Sequence, residues 1–321
     1  MRSISIDTIR DAARNIYDVA VRTPLVPLGP MSSGGPDIYL KLETLQPIGS
    51  FKIRGAYNAV RRLSRDAIAN GVWTVSAGNA AQGVALAARK AGVPCSVMVM
   101  DTAPAAKLAA IDRLGATIVK APYDECWRTV ESHGSARMKG HFVHPFDDDD
   151  FISGNGTAGL EIIEDLPDVD AVVAPVGGGG LLAGIGVVFR ALRPEARVYA
   201  AEPETAAPLK RSMDAGKASR FEEWTASFVD GAGGKSVLET MWPLLHEYVH
   251  ESIVVSLDDA AQAMRLVAER ARVIAEGAAA CAVAAAVSPA LAAHGHKKVV
   301  AVVSGGNVDL AKFAQLVGAC K

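Results

Sequence analysis

Lys52 stands in the segment Gln46-Pro-Ile-Gly-Ser-Phe-Lys-Ile-Arg-Gly55, with Gly49 and Ser50 before it and Arg54 after it. The pattern reads as a loop entering a helix, where the helix dipole and Arg54 both disfavour another positive charge. Both effects lower the lysine pKa, and an amine held neutral is a nucleophile suited to a Schiff base with an aldehyde cofactor. A solvated surface lysine is the plain alternative. A second segment, Ser76-Ala-Gly-Asn79-Ala-Ala-Gln-Gly83, leads into a helix through Ala85 to Lys90. Its N–H groups and its Ser76 and Asn79 side chains suit a carboxylate, or simply cap the helix. Gly177 to Gly180 follow an apolar strand and open a helix near Leu181. Successive N–H groups there can close around an anion, with phosphate the natural guest. Gly178, Gly180 and Ala183 also satisfy G-x-G-x-x-A, and Glu202 follows about 20 residues on, which is the pattern of a dinucleotide site with its ribose-binding acid. Tight packing is the third reading. Finally, Ser304-Gly-Gly-Asn307 ends another apolar strand, allowing a close backbone approach to a ligand or forming a turn.

These loops need strands and helices to hold them. Ile9, Ala12, Ala13, Ile16 and Val19 recur at helical spacing behind Asp7, a candidate cap, so the chain opens with an amphipathic helix. Apolar runs at Val72–Ser76, Cys95–Met100, Thr117–Lys120, Ala171–Val176, Val198–Ala201 and Lys298–Val303 then alternate with helix-length segments rich in Ala, Leu and Arg. Continuous hydrophobicity in the strands predicts parallel sheets covered on both faces, an α/β protein whose ligand sits beyond the carboxyl ends of the strands. No linker separates two halves, so a second domain is expected to be inserted in the first.

With 321 residues, 33 Lys plus Arg against 35 Asp plus Glu and a formal charge of -2, neither nucleic acid nor an anionic membrane surface is an expected partner. Asp147 to Asp150 reads as a solvated loop. No signal segment is visible at Met1 to Ile6, which places the protein in the cytoplasm, and Gly277 to Gly295 reads as a buried Ala-rich helix, not a membrane span. Four widely spaced cysteines read as reduced thiols, and the pairs His141/His144 and His246/His250 lack ligand partners, so no metal is assigned.

Taken together, Lys41 to Ala59 (KLETLQPIGSFKIRGAYNA), Ser76 to Ala87, Val176 to Gly184 and Val302 to Asp309 resemble, in order and spacing, the fold-type II pyridoxal 5'-phosphate (PLP) enzymes of the threonine/serine dehydratase and serine racemase family. The resemblance covers essentially the whole chain. It implies two parallel-sheet α/β domains of the tryptophan synthase β-subunit-like PLP fold, a large one from residues 1–43 plus 147–321 and a small one from 44–146, with the cofactor in the cleft. It implies that Lys52 forms the Schiff base, Phe51 flanks the ring and Asn79 meets the phenolic oxygen. Gly177, Gly178, Gly179 and Gly180, with Leu181, hold the phosphate, and Ser304 meets the pyridine nitrogen. Gly231 and Glu276 match positions near the cofactor, and Ser76, Ala77, Gly78, Asn79 and Ala80 match the substrate-binding loop.

The activity implied is β-elimination from a 3-hydroxy amino acid, an ammonia-lyase reaction giving a 2-oxo acid and ammonia, in a homodimer without the regulatory domain that biosynthetic threonine dehydratases append. Three departures bear on it. Ala80 replaces the family's His, which points to a bulkier substrate such as hydroxyectoine or a β-aryl serine. Ala77 stands where racemases carry Ser. Pro208 stands where metal-binding members carry Asp after Glu202 and Ala206. An amino-acid racemase and an NAD(P)-dependent dehydrogenase are the competing activities.

Overall fold

The computed structural model describes residues 2–31 and 34–320; Met1, Ser32, Ser33 and Lys321 lie outside the described residues. Helix α1 (Ile6–Asn15) is followed by β1 (Leu25–Pro27) and β2 (Asp37–Leu42), then α2 (Lys52–Arg62), β3 (Val72–Val75), α3 (Asn79–Ala91), β4 (Cys95–Met100), α4 (Ala105–Asp112), β5 (Thr117–Ala121), α5 (Tyr123–Glu131) and β6 (His141–Phe142). The second half runs α6 (Asp149–Asp165), β7 (Ala171–Pro175), α7 (Gly180–Leu192), β8 (Arg197–Pro203), α8 (Pro208–Ala215), α9 (Trp242–Tyr248), β9 (Glu251–Val255), α10 (Leu257–Ala271), α11 (Gly277–Ala286), α12 (Pro289–Ala292), β10 (Lys298–Val303) and α13 (Leu310–Ala319).

The strands form a six-stranded sheet ordered β1-β2-β10-β7-β8-β9 and a four-stranded sheet ordered β5-β4-β3-β6. All pairings are parallel except the edge pair β1–β2. The smaller sheet comes entirely from chain lying between β2 and β7, so it interrupts the larger one in sequence. Among the described residues no helix is long and apolar enough to cross a membrane.

The Ala-rich segment becomes α11, buried along its whole length between β7, β8, β10 and α10, and Ser288 caps a separate short helix at Pro289. Small side chains let this helix lie close to the sheet, so backbone proximity replaces bulky interdigitation. The other face of the large sheet is covered by α6 and α7 through Ile152, Leu182, Ile185 and Phe189. In the small sheet, α2 and α3 cover one face and α5 the other. Helix α2 also crosses α6 so closely that a Cβ at Gly55 would overlap Phe151 and Asn155.

Two expectations about caps change. Ser5, not Asp7, caps α1, through a reciprocal box with Thr8. The acidic run is not a solvated loop: Asp148 caps α6, Asp149 and Asp150 pair with Arg2 and Arg62, and Asp147 is buried. A helix N-terminus attracts carboxylates, and that gave the run its place.

Candidate active site

A cavity of about 660 Å³ lies between the two sheets. Every residue matched to a cofactor or substrate position reaches its wall: Phe51 and Lys52 from the start of α2; Ser76, Ala77, Gly78, Asn79 and Ala80 from the β3–α3 turn; Gly177 to Gly180 and Leu181 from the β7–α7 turn; and Gly231, Glu276 and Ser304. The Ser76, Gly177 and Ser304 turns leave the carboxyl ends of parallel strands and Lys52 follows one through the short 3₁₀ turn Glu43–Leu45, whereas Gly231 and Glu276 lie on the α8–α9 and α10–α11 connections.

Lys52 Nζ donates to the carbonyl of Pro145 at 2.7 Å and lies 5.2 Å and 5.3 Å from the ring centres of Phe51 and Phe151. Burial pushes its ammonium down to about 8, against the opposing pull of Glu276. Arg54 has no part in this. Its guanidinium is buried with Glu43 Oε2 at 2.7 Å and Glu161 Oε1 at 2.6 Å, so its charge is neutralised in place. Lys41, also buried, adds a 2.6 Å contact to Glu161. This cluster ties α2 to α6 and to β2, and so holds the helix that carries Lys52.

Gly177 to Gly180 form the cradle expected of a phosphate site. Among the described residues the N–H groups of Gly177, Gly178 and Gly179 donate to no carbonyl, and the loop ends at the N-terminus of α7. A Cβ at Gly178 would overlap the Phe146 ring, and Gly179 has φ +89° with Leu245 2.8 Å from where its Cβ would lie. Only glycine satisfies both positions. The donors, the aldehyde-reactive amine and the cavity size all fit PLP. Glu202, which the dinucleotide reading needs at a ribose, instead accepts from the N–H groups of Leu209 and Lys210 at 2.8 Å each and from the Ser252 hydroxyl at 2.6 Å, capping α8 behind Pro208.

On the other side, Asn79 Nδ2 donates to Glu276 Oε1 at 2.8 Å. Asn307 completes the cluster, its N–H donating to Glu276 Oε2 at 3.1 Å and its Nδ2 to Asn79 Oδ1 at 2.8 Å. Burial, then the charge of Asp230, raises the Glu276 carboxyl to about 7 despite these donors. Ser304 is buried below, its carbonyl accepting from the Phe51 N–H at 3.0 Å. Ala80 is only 4% exposed, packed into the first turn of α3.

Sequence reasoning assigned no role to Asn307, Pro145 or Phe146. The first was visible as the last residue of the Ser304 loop; the other two carried no chemical signature and act through backbone and shape. Their segment is pinned by His144, whose Nδ1 accepts from the N–H groups of Phe146 and Asp147 at 3.3 and 2.7 Å while Nε2 meets the Val130 carbonyl at 3.1 Å. His144 stacks on His133, not on His141, and His133 Nε2 reaches Asp147 at 3.0 Å. His133, His144 and Asp147 gather like metal ligands. Both His144 nitrogens are nonetheless engaged, and Asp147 also binds Arg2 and Thr240.

A lysine at a helix start, a glycine cradle at a second helix and a hydroxyl at a third turn, in a cleft between two α/β sheets, define the fold-type II PLP enzymes. Residues 16–305 match the family model described as pyridoxal-phosphate dependent enzyme, and the chain belongs to that family, with pyridoxal phosphate as its cofactor. It is 40% identical over 321 residues to an L-threonine ammonia-lyase of Thermotoga maritima, covering 98% of this chain and 78% of that protein. It is 38% identical over 319 residues to a serine racemase of Homo sapiens, covering 96% and 92%. The structure of maize serine racemase superposes with a TM-score of 0.90 at 33% identity, covering 98% of this chain and 96% of that one.

Proposed function

We propose that this enzyme eliminates water from a 3-hydroxy amino acid and releases ammonia, leaving a 2-oxo acid. The observation that carries the reading is Lys52, an amine whose pKa is lowered to about 8 by burial in the wall of a cavity also lined by the glycine cradle and the Ser76–Asn79 turn. The 40% identity to a threonine ammonia-lyase supports it. When bound, PLP supplies an aldehyde for the amine and a ring that withdraws electrons from the bond being broken.

In this reading Gly177 to Gly180 and Leu181 hold the phosphate on backbone N–H groups. Asn79, braced by Glu276 and Asn307, meets the phenolic oxygen, Phe51 flanks the ring, and Gly231 leaves room beside Glu276. Ser304, a neutral hydroxyl, meets the ring nitrogen, where it cannot give the full proton that a carboxylic acid would. The turn Ser76 to Ala80 receives the substrate carboxylate at the N-terminus of α3. Lys52 would be the base that takes the α-proton of the bound substrate, and that proton would leave with the β-hydroxyl as water. The aminoacrylate then takes up water and loses ammonia.

A racemase is the second reading, favoured by the 38% identity to a serine racemase. Ala77 weighs against it, because a methyl group has no proton to return to the opposite face. We assign residues 1–43 plus 147–321 to a large domain and 44–146 to a small one, in a homodimer that sedimentation would test. The deciding experiment incubates the PLP-loaded enzyme with 3-hydroxy amino acids and measures 2-oxo acid, ammonia and the chirality of the remaining substrate. Enantiomer formed faster than 2-oxo acid would defeat the proposal.

A further inference from the structure

A second cavity of about 160 Å³ adjoins the first beside the Ser76 turn. Val75, Ala77, Met100, Tyr123 and Trp127 line both, and Cys126 belongs to the smaller one alone, with Met98 beside it. The wall of this chamber is mostly carbon and sulfur, with polar groups only from Ser76, Tyr123 and Trp127. Met98 and Cys126 are 0% and 6% exposed, and their sulfur atoms already face the Thr129 hydroxyl at 3.7 Å and the Ala121 carbonyl at 3.9 Å. Ser76 also lines both cavities, and its hydroxyl accepts from the Gly78 N–H at 3.0 Å.

We infer that this chamber receives the substrate's side chain, and that the substrate class is a 3-hydroxy amino acid bearing an aryl ring on Cβ. The inference rests on the elimination reading, in which the Ser76 to Ala80 turn holds the carboxylate. The β-carbon is two bonds from the carboxylate carbon, so its substituent leaves the reacting centre beside Val75 and Ala77, the rim of the chamber. An apolar cavity of roughly 150 Å³ accepts a benzene ring. The aromatic rings of Tyr123 and Trp127 and the thioether side chains of Met98 and Met100 are favourable neighbours for one. Threonine's methyl would leave most of this wall without contacts, and a charged side chain would lie there unpaired. The extra space is therefore bounded by Ala77 and Cys126, and not by Ala80, which lines only the larger cavity.

The test compares kcat/KM of the PLP-loaded enzyme for β-phenylserine and L-threonine by 2-oxo acid formation. Phenylserine is expected to lead by at least about tenfold. Cys126→Phe, which plugs the chamber from its far wall, should cut the phenylserine value about tenfold or more and leave threonine within about twofold. Cys126→Leu is a smaller plug should the phenylalanine prevent folding. Crystals of the PLP-loaded enzyme soaked in bromobenzene give a readout free of turnover: the bromine signal should lie between Ala77 and Cys126 and vanish in the plugged variant. Threonine leading phenylserine, equal losses on both substrates, or no bromine in the chamber overturns the inference alone. No 2-oxo acid from either substrate overturns the elimination reading and this inference with it.

Discussion

Lys52→Met should stabilise the cofactor-free protein while destroying turnover. The wild-type amine goes from the ordinary lysine value of 10.5 in the unfolded chain to about 8 in the folded one, because burial penalises its charge. At about 1.4 kcal/mol for each tenfold change in protonation, the folded protein gives up about 3 kcal/mol wherever the amine is charged in both states. The sign follows from proton counting. Between pH 8 and 10.5 the unfolded chain binds more protons than the native one, so wild-type stability rises through that window; below pH 8 the penalty is fully present. Methionine fills the same volume without the charge, so its advantage should be greatest at pH 7 and shrink to nothing near pH 10.5. Thermal unfolding of PLP-stripped wild type and variant across pH 7 to 10.5 measures it, with a shift of several degrees expected at the low end. A variant no more stable than wild type at pH 7, or a gain that persists unchanged at pH 10.5, would refute the claim that burial sets the reactivity of this amine.

Other consequences are equally open to measurement. Ala77→Ser should introduce formation of the opposite enantiomer, because its hydroxyl can return a proton to the face opposite Lys52; chiral chromatography of recovered substrate decides it. Arg54→Met should destabilise the protein by about 3–5 kcal/mol, because it leaves Glu43 buried without its cation and Glu161 with Lys41 alone; denaturant unfolding showing a loss below about 1 kcal/mol would contradict that. Chelation should leave activity nearly unchanged, since the Glu202 oxygens are taken by Leu209, Lys210 and Ser252; a large loss restored by magnesium or calcium would show a cation site elsewhere.

The sequence by itself determined the reactive centres and the architecture around them, because both are written locally. Glycine runs, strand-length apolar stretches and a lysine before a helical pattern each impose their conformation within a few residues. That is why Lys52, Asn79, Gly177 to Gly180 and Ser304 could be singled out from local pattern, whereas Glu276 came only from the family resemblance; all of them line one cavity. Strands β1, β2, β6 and β9 were not among the runs named from the sequence; β1 and β6 are too brief to show a period. Tertiary structure alone decided what depends on distant partners. Arg54 looked like a charge acting on Lys52 until Glu43 and Glu161 enclosed it. Asp147 looked solvated until Arg2, His133 and Thr240 closed around it. The apolar chamber behind Ala77 exists only because β3, β4 and α5 bring Val75, Met98 and Cys126 to one point. Charge compensation and empty volume belong to pairs of segments far apart in the chain, and no local pattern encodes them.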